Sequence, residues 1–176
     1  ARLKVHPHRL DALAARAEVQ KRLGNRDLAQ VRYRELVEKV PNFALGWQEL
    51  WKIYFEQREY EKAVEAFARV EAILDGSLGS DEKGLNLAPG WGELGKKFFE
   101  KREYEKALEV FSKAAAIEDG TAGWHHNVAA SLGMLKRYRQ AMEADARSIE
   151  RDPNFVDAYI GLAMSARSLG EIDRAR

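Results

Sequence analysis

Trp91 to Ile117 reads WGELGKKFFEKREYEKALEVFSKAAAI, and Trp47 to Ile73 reads WQELWKIYFEQREYEKAVEAFARVEAI. The two stretches match at 16 of 27 positions without a gap. Outward from them, an alanine returns in the same register as Ala29, Ala63, Ala107, Ala141 and Ala175, at spacings of 34, 44, 34 and 34. A single ten-residue insertion accounts for the irregular interval. A fixed period of this length marks a solenoid of stacked supersecondary units, none of which buries its apolar face alone. Such arrays work through extended surfaces, so binding is expected before chemistry.

Within a copy, Trp91, Leu94, Gly95 and Phe98 fall at i, i+3, i+4 and i+7, an apolar stripe on a first helix. Ala107, Phe111 and Ala114 do the same on a second helix. Gly24 and Gly170 stand in the inter-helix turns of the outer copies, where a helix C-terminus needs positive φ. The middle turns read Gln57-Arg58-Glu59 and Lys101-Arg102-Glu103 instead.

Trp91, Leu94, Gly95, Phe98, Ala107 and Phe111, with Trp47, Leu50, Tyr54, Ala63 and Phe67, resemble the signature of the tetratricopeptide repeat family. Pro41 and Pro153 occupy its closing proline slot, each followed by Asn-Phe. The resemblance implies an all-α, right-handed α-solenoid of tandem helix-turn-helix units. It places repeats at about 10–43, 44–75, 88–121 and 122–155, a partial one at 156–176, and an insertion loop at 76–87. Departures are Arg16 and Gln20 on a polar first helix, Trp51 in place of a small residue, and Asp145 in place of an aromatic. Trp51 predicts different packing in the second and third copies, and Asp145 a weak second helix in the fourth. The chain starts at Ala1 and stops about one turn into its last helix, which suggests a piece of a longer array or multidomain protein.

The chain has 176 residues, no cysteine and a net charge of +1. Without cysteine there are no disulfides, Cys-type zinc sites or thiol nucleophiles. No apolar run approaches membrane-spanning length, so direct membrane insertion is not expected. Compartment is left open, the cytoplasm slightly favoured. Residues 1–40 carry a net +5, residues 44–118 a net −4, and residues 119–176 balance. The basic third reads as a solvated face, and no nucleic-acid partner is expected.

In this family the first helix of each pair lines the concave groove. By that resemblance the groove positions are Gln48, Lys52, Phe55 and Glu56 in the second copy, and Gly92, Lys96, Phe99 and Glu100 in the third. The fourth copy offers His126, Asn127, Ala130 and Met134, and the fifth Ile160, Met164 and Arg167. The repeated Lys–Phe pair makes a ladder of positive charge beside apolar surface, suited to a peptide with acidic and apolar side chains. Phe55 and Phe99 either face that groove or pack between first helices. The Lys and Asn set of the carboxylate-clasping members is missing apart from Asn127.

His125 and His126 diverge by about 100° on a helix, and His6 and His8 flank a proline without nearby acidic ligands, so no metal site is expected. His125 takes the packing slot. The insertion, DGSLGSDEKGLNLA from Asp75 to Ala88, has neither calcium-loop spacing nor a phosphate loop. No nucleophile elbow or zinc-protease motif appears, and pairs such as Glu61 and Glu65 are helix-surface charges. The expected function is a non-catalytic scaffold or adaptor binding a protein or peptide, without cofactors. The alternatives are an accessory region of a larger enzyme of glycosyltransferase or sulfotransferase type, and a homo-oligomeric assembly module.

Overall fold

The computed structural model describes residues 7–77 and 87–170, with side chains described for 12–74 and 87–170. The expectations for the His6 and His8 side chains, for Ala175 and for residues 78–86 lie outside the described residues. Among the described residues there are nine helices and no strand: α1 Pro7–Arg22, α2 Arg26–Lys39, α3 Ala44–Glu56, α4 Tyr60–Ser77, α5 Ala88–Glu100, α6 Tyr104–Ile117, α7 Ala122–Met134, α8 Tyr138–Arg151 and α9 Val156–Ser168. They divide into two compact units, α1–α4 and α5–α9.

The same turn closes each first helix. Gly24, Arg58, Arg102, Lys136 and Gly170 all hold positive φ, between 60° and 79°. After Gly24, Arg58, Arg102 and Lys136 the N–H of the following residue bonds back to a carbonyl five positions earlier, as in Glu59 to Tyr54 at 2.8 Å and Arg137 to Leu132 at 2.9 Å. This is a Schellman closure, which satisfies carbonyls a helix end leaves unpaired. Where glycine is absent, arginine or lysine adopts the same backbone, so the turn belongs to the repeat and not to its sequence.

In the first unit, α1 packs on α2, α2 on α3 and α3 on α4, burying Ala17, Ala29, Tyr33, Leu36, Leu50 and Phe67. In the second, α5 through α9 pack in succession around Trp91, Leu94, Phe98, Phe111, Ala129 and Leu132, and α7 also meets α9. The stripe read from sequence is therefore the buried one. The Trp51 departure has the expected consequence. A Cβ on Gly95 would come within 2.5 Å of the Phe111 ring, so Phe111 lies against bare backbone. The equivalent Phe67 instead meets the Trp51 ring edge-on, centroids 4.9 Å apart.

Two local expectations change. α4 runs to Ser77, two residues into the stretch read as loop, and Leu87 is buried at the start of α5. Asp145 does not interrupt α8. It is buried in place of the aromatic, and its carboxylate accepts a hydrogen bond from His126 Nδ1 at 2.8 Å.

Candidate binding cleft

In the second unit the first helices α5, α7 and α9 border a cleft of about 370 Å³. Phe99 comes from α5, His126, Ala130 and Met134 from α7, Tyr138 and Asp145 from α8, and Asp157, Ile160 and Met164 from α9. A smaller hollow of about 170 Å³ adjoins it, bordered by Lys96, Glu100 and Asn127, with Phe99 and Ala130 common to both. Met134, Ile160 and Met164 are 51%, 51% and 62% exposed, unusual values for three large apolar side chains around one cleft. Six residues expected to contact a partner (Lys96, Phe99, Glu100, His126, Asn127 and Met164) thus come together here.

Phe99 lines the cleft; it is half-buried and lies edge-on to Tyr104 of α6 at 5.2 Å, not packed on a ring of a neighbouring first helix. His126 lines the cleft, edge-on to Phe155, with one ring nitrogen committed to Asp145. Burial pushes the Asp145 carboxyl above its ordinary 3.8, and the His126 hydrogen bond pulls it partly back. His125 is buried at its packing slot, 2.9 Å from the Asp119 carbonyl. Gly92, expected in the groove, is a packing position: a Cβ there would lie 2.3 Å from the Trp124 ring. Arg167 is exposed and lies outside the residues lining the cleft.

The remaining expected contacts lie on α3, in the first unit. Phe55 is flanked edge-on by Trp51 at 5.9 Å and Tyr60 at 5.5 Å, and Gln48 is half-buried. Glu56 pairs with Arg26 at 3.4 Å, both well exposed. Lys52 is not a free cation. It lies 2.9 Å from Glu49, which is buried and held from the other side by Lys21 at 2.5 Å. Lys21 also pairs with Glu18 at 2.7 Å, and Tyr33 donates to Glu18 at 3.2 Å. Burial pushes Glu49 up, but hydrogen bonds from Lys21 and Lys52 outweigh it and hold the carboxyl below 4.5. The Lys21 hydrogen bond holds Glu18 down to about 2. Burial raises the Tyr33 hydroxyl to about 12. The Lys–Phe ladder therefore has its two rungs in separate units, one of them neutralised.

Glu18, Lys21 and Asp145 were missed, and the first two had a signal. Glu18 precedes Lys52 by one 34-residue period, and Lys21 precedes Phe55 by the same interval. Extending the groove register into the first copy finds both.

Residues 11–42 match the tetratricopeptide repeat family. The helix-turn-helix geometry recurs around the same closure along the described chain. The chain has the fold of a tetratricopeptide-repeat array. No curated protein matches it. Among solved structures it is similar to the MamA protein, with a TM-score of 0.62 at 19% identity over 94% of this chain and 85% of that one. It is similar to YrrB, a TPR protein with an unusual peptide-binding site, with a TM-score of 0.60 at 15% identity over 93% and 79%. It is also similar to the TPR2AB domain of yeast Sti1 in complex with pHSP90, with a TM-score of 0.51 at 20% identity over 94% and 73%. At these identities the likeness is one of fold. Among the described residues no helix is long and apolar enough to cross a membrane.

Proposed function

We propose that this repeat array is a non-catalytic interaction scaffold, and that its principal contact with a partner protein is the cleft bordered by α5, α7 and α9. The observation that carries it is the cluster of Met134, Ile160 and Met164, exposed around a concave site beside Lys96 and Asn127. Methionine is flexible and polarisable, so two of them at one cleft suit a surface that adapts to a partner's side chains. Lys96, Glu100 and Asn127 give the rim polar groups that set register. Gln48, Lys52, Phe55 and Glu56 offer a separate contact surface on the first unit, and Arg167 a peripheral one. The peptide-binding character of YrrB and the pHSP90 complex of Sti1 support the class of activity, not the partner.

The test is a selection of random dodecapeptides displayed on phage, followed by fluorescence anisotropy of the enriched sequences. Met164→Ser removes an apolar side chain from the cleft at an already exposed position, so folding is retained, which circular dichroism checks. Enriched peptides are expected to lose about tenfold or more in affinity for that variant, the scale of a central contact. Peptides that bind the variant as well as the wild type, or no enrichment at all, would overturn the proposal.

A further inference from the structure

We propose that the α5–α9 cleft receives a lysine or arginine side chain of the bound partner segment, with Asp145 as its counter-ion. This rests on the cleft being a peptide site and adds what it selects. Of the side chains lining the cleft, the fixed charges are both negative, Asp145 and Asp157, and neither lysine nor arginine is among them. Asp145 is 1% exposed, yet only half of its carboxylate is satisfied. Oδ1 accepts from His126 Nδ1, whereas Oδ2 has no hydrogen-bond partner among the described residues. Oδ2 lies at the wall formed by Gly161, where a Cβ would stand within 2.2 Å of it. Glycine thus makes room for the carboxylate at the edge of the cleft.

A buried carboxylate with an open oxygen is costly until a donor or a cation meets it. Its raised titration reflects that same incomplete compensation. The other walls fit a cation on an apolar stem. Phe99 and Tyr138 line the cleft with aromatic rings, a residue type that attracts ammonium and guanidinium groups. Met134, Ile160 and Met164 offer apolar surface for the methylenes behind the charge. The sequence reading, with its lysine ladder, asked for acidic side chains in the partner; the cleft asks for a basic one.

The probes are four labelled nonapeptides, acetylated and amidated, identical except at the centre. There they carry lysine, arginine, norleucine or glutamate between two leucines. Anisotropy titrations use the whole chain, Asp145→Asn and Met164→Ser, each checked by circular dichroism. The lysine and arginine peptides are expected to bind the wild type at least about tenfold tighter than norleucine, as a desolvated charge pair gives. Asp145→Asn preserves shape and the His126 acceptor, and is expected to erase that preference without weakening the norleucine peptide. Norleucine or glutamate binding as tightly as lysine overturns the cation site, and so does a preference that survives Asp145→Asn. Equal binding of all four, lost in Met164→Ser, leaves the peptide cleft standing and removes the cation site. Binding by none, or binding indifferent to Met164→Ser, removes both. The wild-type comparison of lysine with norleucine decides even if a variant fails to fold.

Discussion

The α3–α4 and α5–α6 hairpins share 16 of 27 positions, yet they present different chemistry to their surroundings. Both contain Glu-Leu followed two residues later by lysine, as Glu49-Leu50 with Lys52 and Glu93-Leu94 with Lys96. Glu49 is buried between Lys21 and Lys52 because α1 and α2 precede α3 in its unit. Glu93 is exposed on α5, the first helix of its unit. Lys52 is therefore neutralised, while Lys96 has no carboxylate partner among the described residues and borders the binding hollow. A repeat's sequence sets its fold, and its neighbours set which of its charges are available. The intra-hairpin seam differs as well: Trp51 meets Phe67, where Gly95 lets Phe111 onto the backbone.

That seam gives the largest expected effect. Gly95→Trp copies the second hairpin's residue into the third. The new side chain overlaps Phe111, which Gly95 already brings within 2.5 Å of where a Cβ would stand. Overpacking of this kind costs about 3 kcal/mol. Urea unfolding of the full chain measures it. A variant as stable as the wild type would mean that the two hairpins are interchangeable after all.

The charge cluster comes next. Removing Lys21 leaves Glu49 buried with Lys52 alone. Breaking a buried pair costs about 3–5 kcal/mol, but the Lys21 side chain is 34% exposed, which reduces the expectation for Lys21→Ala to about 2 kcal/mol. Lys96→Ala is expected to change stability by less than about 0.5 kcal/mol, as for an ordinary surface substitution. A pH series sharpens the contrast. Glu18 and Glu49 titrate lower in the folded chain than their ordinary 4.5, so their stabilisation is present above pH 4.5 and is lost as pH falls toward the folded values, about 2 for Glu18. Asp145 titrates higher when folded, so its contribution has the opposite sign: full below pH 3.8 and lost as pH rises through its folded value. Urea midpoints between pH 6 and 3 are expected to fall for the wild type and to fall less for Lys21→Ala. Equal slopes would mean that the Lys21–Glu49 contact carries no linkage.

What was legible in the sequence follows the same division. Period, helix pairing and core stripe were visible because each rests on local spacing, and Trp91, Leu94, Phe98 and Phe111 are buried as their register requires. The cleft was half legible. Lys96, Phe99, His126, Asn127 and Met164 were found by register, but Gly92 was misplaced because the Trp124 ring that fills its space comes from another repeat. Asp145 read as a defect because its partner, His126, lies 19 positions away on a different helix. The neutralisation of Lys52 depends on Lys21, in a first copy whose polarity concealed its register.

The smallest expected effect concerns the turn all copies share. Gly24, Arg58, Arg102, Lys136 and Gly170 hold the same left-handed backbone, Arg102 at φ 62°. A side chain in that region costs about 1 kcal/mol, because Cβ crowds the following carbonyl. Glycine removes the crowding but brings more backbone freedom to the unfolded chain, which takes back about half of the gain. Arg102 is exposed, so little else changes. Arg102→Gly is therefore expected to raise stability by about 0.5 kcal/mol, and Gly24→Ala to lower it by about as much. Urea midpoints of the two variants read the difference directly. Opposite signs would mean that backbone strain is the same at every turn and that the middle copies tolerate it because the packed hairpins on either side fix the geometry. A loss on Arg102→Gly would instead mean that the arginine side chain itself stabilises the turn, which would make the middle closures chemically distinct from the outer ones.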